Sequence, residues 1–354
     1  MLKELDGFRA IAVLLVVFFH LGFYTRAIPG FNSIVGSGYL GVQIFFILSS
    51  FLLSRQFLIT YPKSDSKKSF VLKFFKKRFL RIVPLFIFSF IALTVINFNT
   101  STLAVVAVIR YVLFIEDTIK INPVIWSLLV EVRFYLLLPL VMIIVFRLQH
   151  YKLPKFTIPL IVVLYCYIYR FYETNYSFDN DVEDRLYSSL SANIDCLGLG
   201  IIGTLLYEKY KEIFTSRKLA IILIICISII IFLLMHIKFT GSVHSIPRGL
   251  IVPLNNIAWT ALIVITLLLK TSYVNKILSN KIAIHISMIS YSVYIWHVPL
   301  RKYVFDLVSR ELPPPYSKYI LITQFCITLI ITLIISEISH RLIEKPFLIR
   351  KKEL

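Results

Sequence analysis

Long apolar runs, broken by short polar connections, dominate the chain from end to end. One is LAIILIICISIIIFLLM, Leu219 to Met235. The runs are continuous rather than alternating, which predicts membrane helices and excludes a β-barrel. Candidate spans cover roughly 8–25, 38–60, 82–99, 124–146, 155–171, 187–207, 218–237, 249–270, 282–300 and 316–339, with a shorter apolar piece at 103–115. Basic residues orient them. Lys63, Lys67, Lys68, Lys73, Lys76, Lys77, Arg78 and Arg81 crowd the second connection and place it in the cytoplasm. The basic connections at 147–155, 208–218 and 270–281, and the tail from Arg341, then fall on the same side. The acidic loop ETNYSFDNDVEDR falls on the other. This parity requires 103–115 to be re-entrant or interfacial. The expectation is an all-α polytopic bundle of about ten transmembrane helices with both termini cytoplasmic: one membrane-embedded domain over 1–347, then a basic tail over 348–354.

Composition sharpens this picture. In 354 residues, 58% are hydrophobic and mean hydropathy is +0.81, far outside the soluble range. The net charge of +19 lies mainly in the connections, so it serves orientation and no nucleic acid is expected. Cys166, Cys196, Cys226 and Cys326 fall inside apolar runs without ligand spacing, which predicts buried free thiols and no metal site. The first apolar run has no A-x-A-like site after His20 and is expected to stay as a signal anchor. Connections of at most 25 or so residues are too short for an independent core, and no repeat is visible.

Ionisable groups inside such spans mark candidate chemistry. RAIAVLLVVFFH carries Arg9 and His20 eleven residues apart, within about 20° on one helix face and about 16 Å apart in height. If Arg9 lies near the helix entry, His20 lies near mid-membrane. WSLLVEVRFYLLLP places Glu131 and Arg133 on different faces, so each needs a partner on another helix. KKRFLRIVP holds Arg78 and Arg81 on one face at an inner mouth, either as anchors or as bidentate phosphate ligands. SYSVYIWH lines Ser290, Tyr294 and His297 along one stripe, which helix–helix hydrogen bonding would also explain. SHRLIEKPF sets Arg341 and Glu344 three apart, as in a local ion pair.

Taken in order, these segments, with the preceding LDGF and the second-helix GYLGVQIFFILSSF, resemble the acyltransferase 3 family of integral membrane acyltransferases from about Leu2 to Phe347. That resemblance implies ten spans and transfer of an acyl group, most often acetyl, from cytoplasmic acetyl-CoA to a sugar hydroxyl. The acceptor would be a lipid-linked (undecaprenyl) or exported surface glycan, with lipopolysaccharide O-antigen favoured because the chain lacks the extra domain of several peptidoglycan-directed relatives. The setting would be the bacterial cytoplasmic membrane. It makes His20 and Arg9 the catalytic pair, with Glu131 the acid of the Trp-Ser-Leu helix. Arg78, Arg81 and Lys77 become donor-binding, and Ser290, Tyr291, Tyr294, His297, Asp195 and Glu344 supporting. Acetyl-CoA is a co-substrate and no metal is implied. Three positions depart from the family pattern: Ser50 replaces a glycine, Asn193 stands where an arginine often precedes Asp195, and Ser287 replaces a glycine. His20 would act as general base or be transiently acylated. Intramembrane charges would also suit a transporter or flippase of lipid-linked sugars, although no internal repeat supports it.

Overall fold

The computed structural model describes residues 2–22, 29–96, 124–177, 181–214, 217–240, 248–269, 273–311 and 318–352. The piece at 103–115 lies outside them. The helices are α1 (Glu4–Leu21), α2 (Pro29–Gly36), α3 (Gly41–Thr60), α4 (Lys67–Ile96), α5 (Trp126–His150), α6 (Thr157–Tyr176), α7 (Val182–Ser188), α8 (Leu190–Asn193) and α9 (Asp195–Tyr210). They continue as α10 (Arg217–Thr240), α11 (Arg248–Leu268), α12 (Tyr273–Leu278), α13 (Lys281–Glu311), α14 (Lys318–Ser339), a π turn (His340–Glu344) and α15 (Lys345–Lys352). There is no strand among the described residues. The fold is an all-α polytopic membrane bundle. Among the described residues, six segments are long and apolar enough to cross a membrane: Gly38–Thr60, Trp126–Gln149, Leu190–Tyr210, Lys218–Ile237, Gly249–Leu268 and Thr323–Ile349.

Packing divides the chain into two units. The first comprises Met1–Val16, Tyr24–Asp65 and Val130–Met288. Lipid supplies no hydrophobic drive between helices, so close backbone approach and polar contacts must hold them. At Gly200 on α9, an added Cβ would lie 2.4 Å from the Ser50 Cβ and 2.8 Å from the Ile47 carbonyl oxygen on α3. Ser50 donates its hydroxyl to the Leu197 carbonyl at 2.7 Å. The glycine missing from α3 is thus compensated by one on the facing helix, and the serine adds a hydrogen bond. Lower down, Ser54 and Thr204 pair at 2.7 Å, and Thr204 donates to the Phe51 carbonyl at 2.8 Å. On α10, Ile222, Ile225, Ile229 and Leu233 are all about half exposed. In a chain of this hydropathy, that face belongs to lipid.

The thiols do not all follow expectation. Cys166 and Cys196 are buried, whereas Cys226 and Cys326 are exposed. They sit on α10 and α14, whose outward faces are apolar because they meet lipid. An apolar run therefore does not imply burial in protein.

The second unit comprises Val17–Phe23, Ser66–Leu129 and Ile289–Leu354. Here α4 runs beside α13. Tyr291 donates to the Ile82 carbonyl at 2.8 Å, and the Phe88 and Trp296 rings lie 6.4 Å apart. α14 runs antiparallel to α13: the Trp296 indole donates to Ser339 at 2.9 Å, and Ser292 donates to Glu344. The π turn packs against α4. One extra residue per turn swings the Glu344 carboxylate inward, and it is 6% exposed.

Candidate active site

His20 lies in the last turn of α1, one residue before the helix ends at Leu21. The helix ends short of the expected bound at residue 25: the apolar run continues to Phe23, but the backbone turns at Gly22, whose φ is +69°. From α13, His297 meets it. The His297 Nε2 and His20 Nδ1 are 3.2 Å apart, and the ring centroids 5.0 Å apart. His297 is fully buried.

The partners of this pair fix its tautomers. His297 Nδ1 lies 2.7 Å from the Tyr294 carbonyl oxygen and 3.2 Å from that of Val293. Carbonyl oxygens only accept, so Nδ1 of His297 carries the proton and its Nε2, in the neutral ring, is an acceptor. His20 Nδ1 must then donate to it. The remaining nitrogen of His20, Nε2, carries the lone pair and is the basic one. Both histidines stand out in the sequence, but a separation of 277 positions hides their contact.

Around the pair, Tyr294 places its ring 5.6 Å from His297. Its hydroxyl donates to the Val124 carbonyl at 2.9 Å and lies 2.6 Å from Ser127 Oγ. Ser127 is a further neighbour, visible in the sequence only as part of Trp-Ser-Leu. Ser290 is buried, and Tyr291 ties α13 to α4. Arg81 adjoins Ile82, which is level with Tyr291. Along the helix axes, Arg81 and Arg78 therefore lie about 10 and 15 Å from His297. Both are half-buried, as is Lys77, and Arg78 sits 5.9 Å over the Phe74 ring. Glu344 also faces His340 at 3.5 Å. The expected Arg341–Glu344 pair is replaced: Arg341 binds Glu337 at 2.5 Å, because the π turn rotates Glu344 away from it.

Three expected residues belong to the first unit. Arg9 lies 3.7 Å from Asp6, whose carboxylate accepts the Ser287 hydroxyl at 3.0 Å. Ser287, one of the departures noted above, therefore supports the carboxylate beside Arg9. Glu131 accepts hydrogen bonds from Ser49 at 2.9 Å and from Tyr135. Asp195 is fully buried and accepts from Asn256 and the Cys196 amide, each at 2.9 Å. The charge of buried Arg170 on α6 also acts on it. A cation thus reaches Asp195 from another helix rather than from position 193. Asn193 instead bonds the Tyr187 and Ser189 carbonyls and accepts from Gln43.

A family profile described as an acyltransferase domain matches residues 2–340. The chain belongs to the acyltransferase 3 family. Among its curated relatives is the O-acetyltransferase OatA of Staphylococcus aureus strain NCTC 8325 / PS 47, 28% identical over 381 aligned residues. OatA of strain COL matches equally, again with 99% of this chain covered. The chain spans 57% of the length of these relatives. No solved structure matches it. Family membership and the six apolar segments together make it a multi-pass membrane protein.

Proposed function

We propose that this chain transfers an acetyl group from cytoplasmic acetyl-CoA to a sugar hydroxyl of a lipid-linked or exported surface glycan. The setting proposed is the bacterial cytoplasmic membrane. The observation that carries the reading is the His20–His297 pair, whose hydrogen bonds leave His20 with a basic Nε2. A sugar hydroxyl is a weak nucleophile at neutral pH and needs such a base. In the direct route, Nε2 takes the hydroxyl proton as the oxygen attacks the thioester carbonyl. The C–S bond then breaks, and the departing thiolate recovers the proton from the imidazolium. In the alternative route, Nε2 itself attacks the thioester and expels the thiolate; the sugar hydroxyl then attacks the acyl carbon, the C–N bond to Nε2 breaks, and the thiolate takes the hydroxyl proton.

Arg78 and Arg81, with Lys77, are assigned to the phosphates of the donor. Their axial offset of about 10–15 Å from His297 suits the pantetheine arm, which extends to about 15 Å at ordinary bond lengths. Arg9, which lies 3.7 Å from Asp6, and Glu131 are proposed as catalytic residues on the family resemblance alone. The acetyl donor, the acceptor class and the donor-binding roles rest on family membership together with the pair's geometry.

The test uses purified protein in nanodiscs with acetyl-CoA and an envelope-glycan extract. Acetyl transfer and thiol release that depend on the glycan are the expected result. Glycan movement across the bilayer without consumption of acetyl-CoA would overturn the reading in favour of a transporter. An acetylated His20 trapped by rapid acid quench would select the covalent route.

A further inference from the structure

α14 carries two faces. Ile327, Ile330, Ile334 and Ile338 are exposed, as a lipid-facing side requires. On the opposite side Gln324, Thr328, Thr332 and Ser336 recur once per turn, and none is more than 1% exposed. Thr328 bonds back to the Gln324 carbonyl at 2.7 Å. Both amide atoms of Gln324, the Thr332 hydroxyl and the Ser336 hydroxyl have no hydrogen-bond partner among the described residues. Each such group costs on the order of a hydrogen bond when buried dry, so three in one row are not explained by helix packing. Packing needs would be met by alanine or valine.

Position gives this row a meaning. Ser339 is level with Trp296, and Glu344 with Ser292. Going backward along α14 from Ser339 therefore leads past His297, away from the level of Ile82 and Arg81. The row extends about 18 Å in that direction from Ser336 to Gln324. Near its far end, Phe325 meets Phe18, two residues before His20, with ring centroids 5.6 Å apart. The row thus flanks the histidine pair on the side opposite the arginines assigned to the donor.

We propose that the Gln324–Thr328–Thr332–Ser336 face of α14 is the subsite for the carbohydrate of the acceptor. This rests on the acyl-transfer reading above. A sugar presents hydroxyls that both donate and accept around the whole ring. An amide and a series of hydroxyls answer that chemistry, whereas a prenyl tail or an acyl chain has nothing to give them. At about 18 Å the row matches the length of several sugar units.

The test compares wild type with Gln324→Met, Thr332→Val, Ser336→Ala and the control Thr332→Ser, in nanodiscs. The acceptor probe is an envelope-polysaccharide hydrolysate and the donor is radiolabelled acetyl-CoA. The first three variants should each raise the KM for the hydrolysate about three- to tenfold, the range for losing one hydrogen bond. The KM for acetyl-CoA should stay within twofold, and Thr332→Ser should behave as wild type. Unchanged acceptor KM, or an equal rise in both KM values, would overturn the subsite while leaving the acyl-transfer reading intact. A wild-type protein that moves no acetyl group from acetyl-CoA would overturn both.

Discussion

His297 touches no expected substrate, yet the geometry gives it a large effect on rate. Replacing it with phenylalanine keeps ring volume in a fully buried site but removes the acceptor for the His20 Nδ1 proton. An imidazole N–H left without a partner costs about 1–3 kcal/mol. If that cost falls on the orientation and tautomer His20 needs in the transition state, kcat drops about five- to 150-fold, at 1.36 kcal/mol per decade. His297→Gln is the informative companion, because its Oε1 reaches close to where Nε2 stood and accepts the same proton. Initial rates of thiol release from acetyl-CoA, with saturating glycan, give the comparison. His297→Phe should lose kcat in that range with donor KM nearly unchanged, and His297→Gln should recover most of it. Equal activity in the two variants, whether high or low, would refute the tautomer argument.

Three further outcomes follow from other parts of the molecule. Arg81→Gln should raise the KM for acetyl-CoA about tenfold, as expected for one charge-assisted phosphate contact, and leave acceptor KM alone; steady-state kinetics checks both. Gly200→Ala should destabilise the α3–α9 contact by about 1–3 kcal/mol, since the new Cβ meets Ser50 and the Ile47 carbonyl; thermal unfolding in detergent should show Ser50→Gly restoring most of the loss. Beyond the apolar stretch of α6, hydrogen bonds from Arg185 at 2.8 and 3.1 Å hold the Glu173 carboxyl below its ordinary pKa. The stabilisation is therefore complete above the unfolded value of about 4.3 and is lost as pH falls through the lower native value. Melting temperature followed from pH 6 to 3 should fall more steeply for wild type than for Glu173→Gln.

Hydropathy locates the core spans closely: 218–237 and 249–270 against Lys218–Ile237 and Gly249–Leu268. Burial in lipid imposes apolarity residue by residue, so the signal is local. α4 shows the limit. It begins at Lys67, far ahead of the apolar stretch at 82, because a basic amphipathic turn reads as a loop on a hydropathy scale. The site residues were legible as ionisable groups in apolar surroundings, but their partners were not. Asp6 and Ser287 meet across 281 positions, and the two histidines across 277. Such contacts are set by tertiary packing, which a single sequence does not encode at any fixed spacing. The row on α14 carries no charge, so it does not stand out among the ionisable groups of the apolar runs.

The central claim, that His20 is the base or acyl carrier, is tested most directly by His20→Ala in nanodiscs with labelled acetyl-CoA and the glycan extract. Acetyl transfer should fall about 10²- to 10⁴-fold, with the protein still folded and still binding the donor. A folded His20→Ala protein that acetylates the glycan at close to the wild-type rate would contradict it.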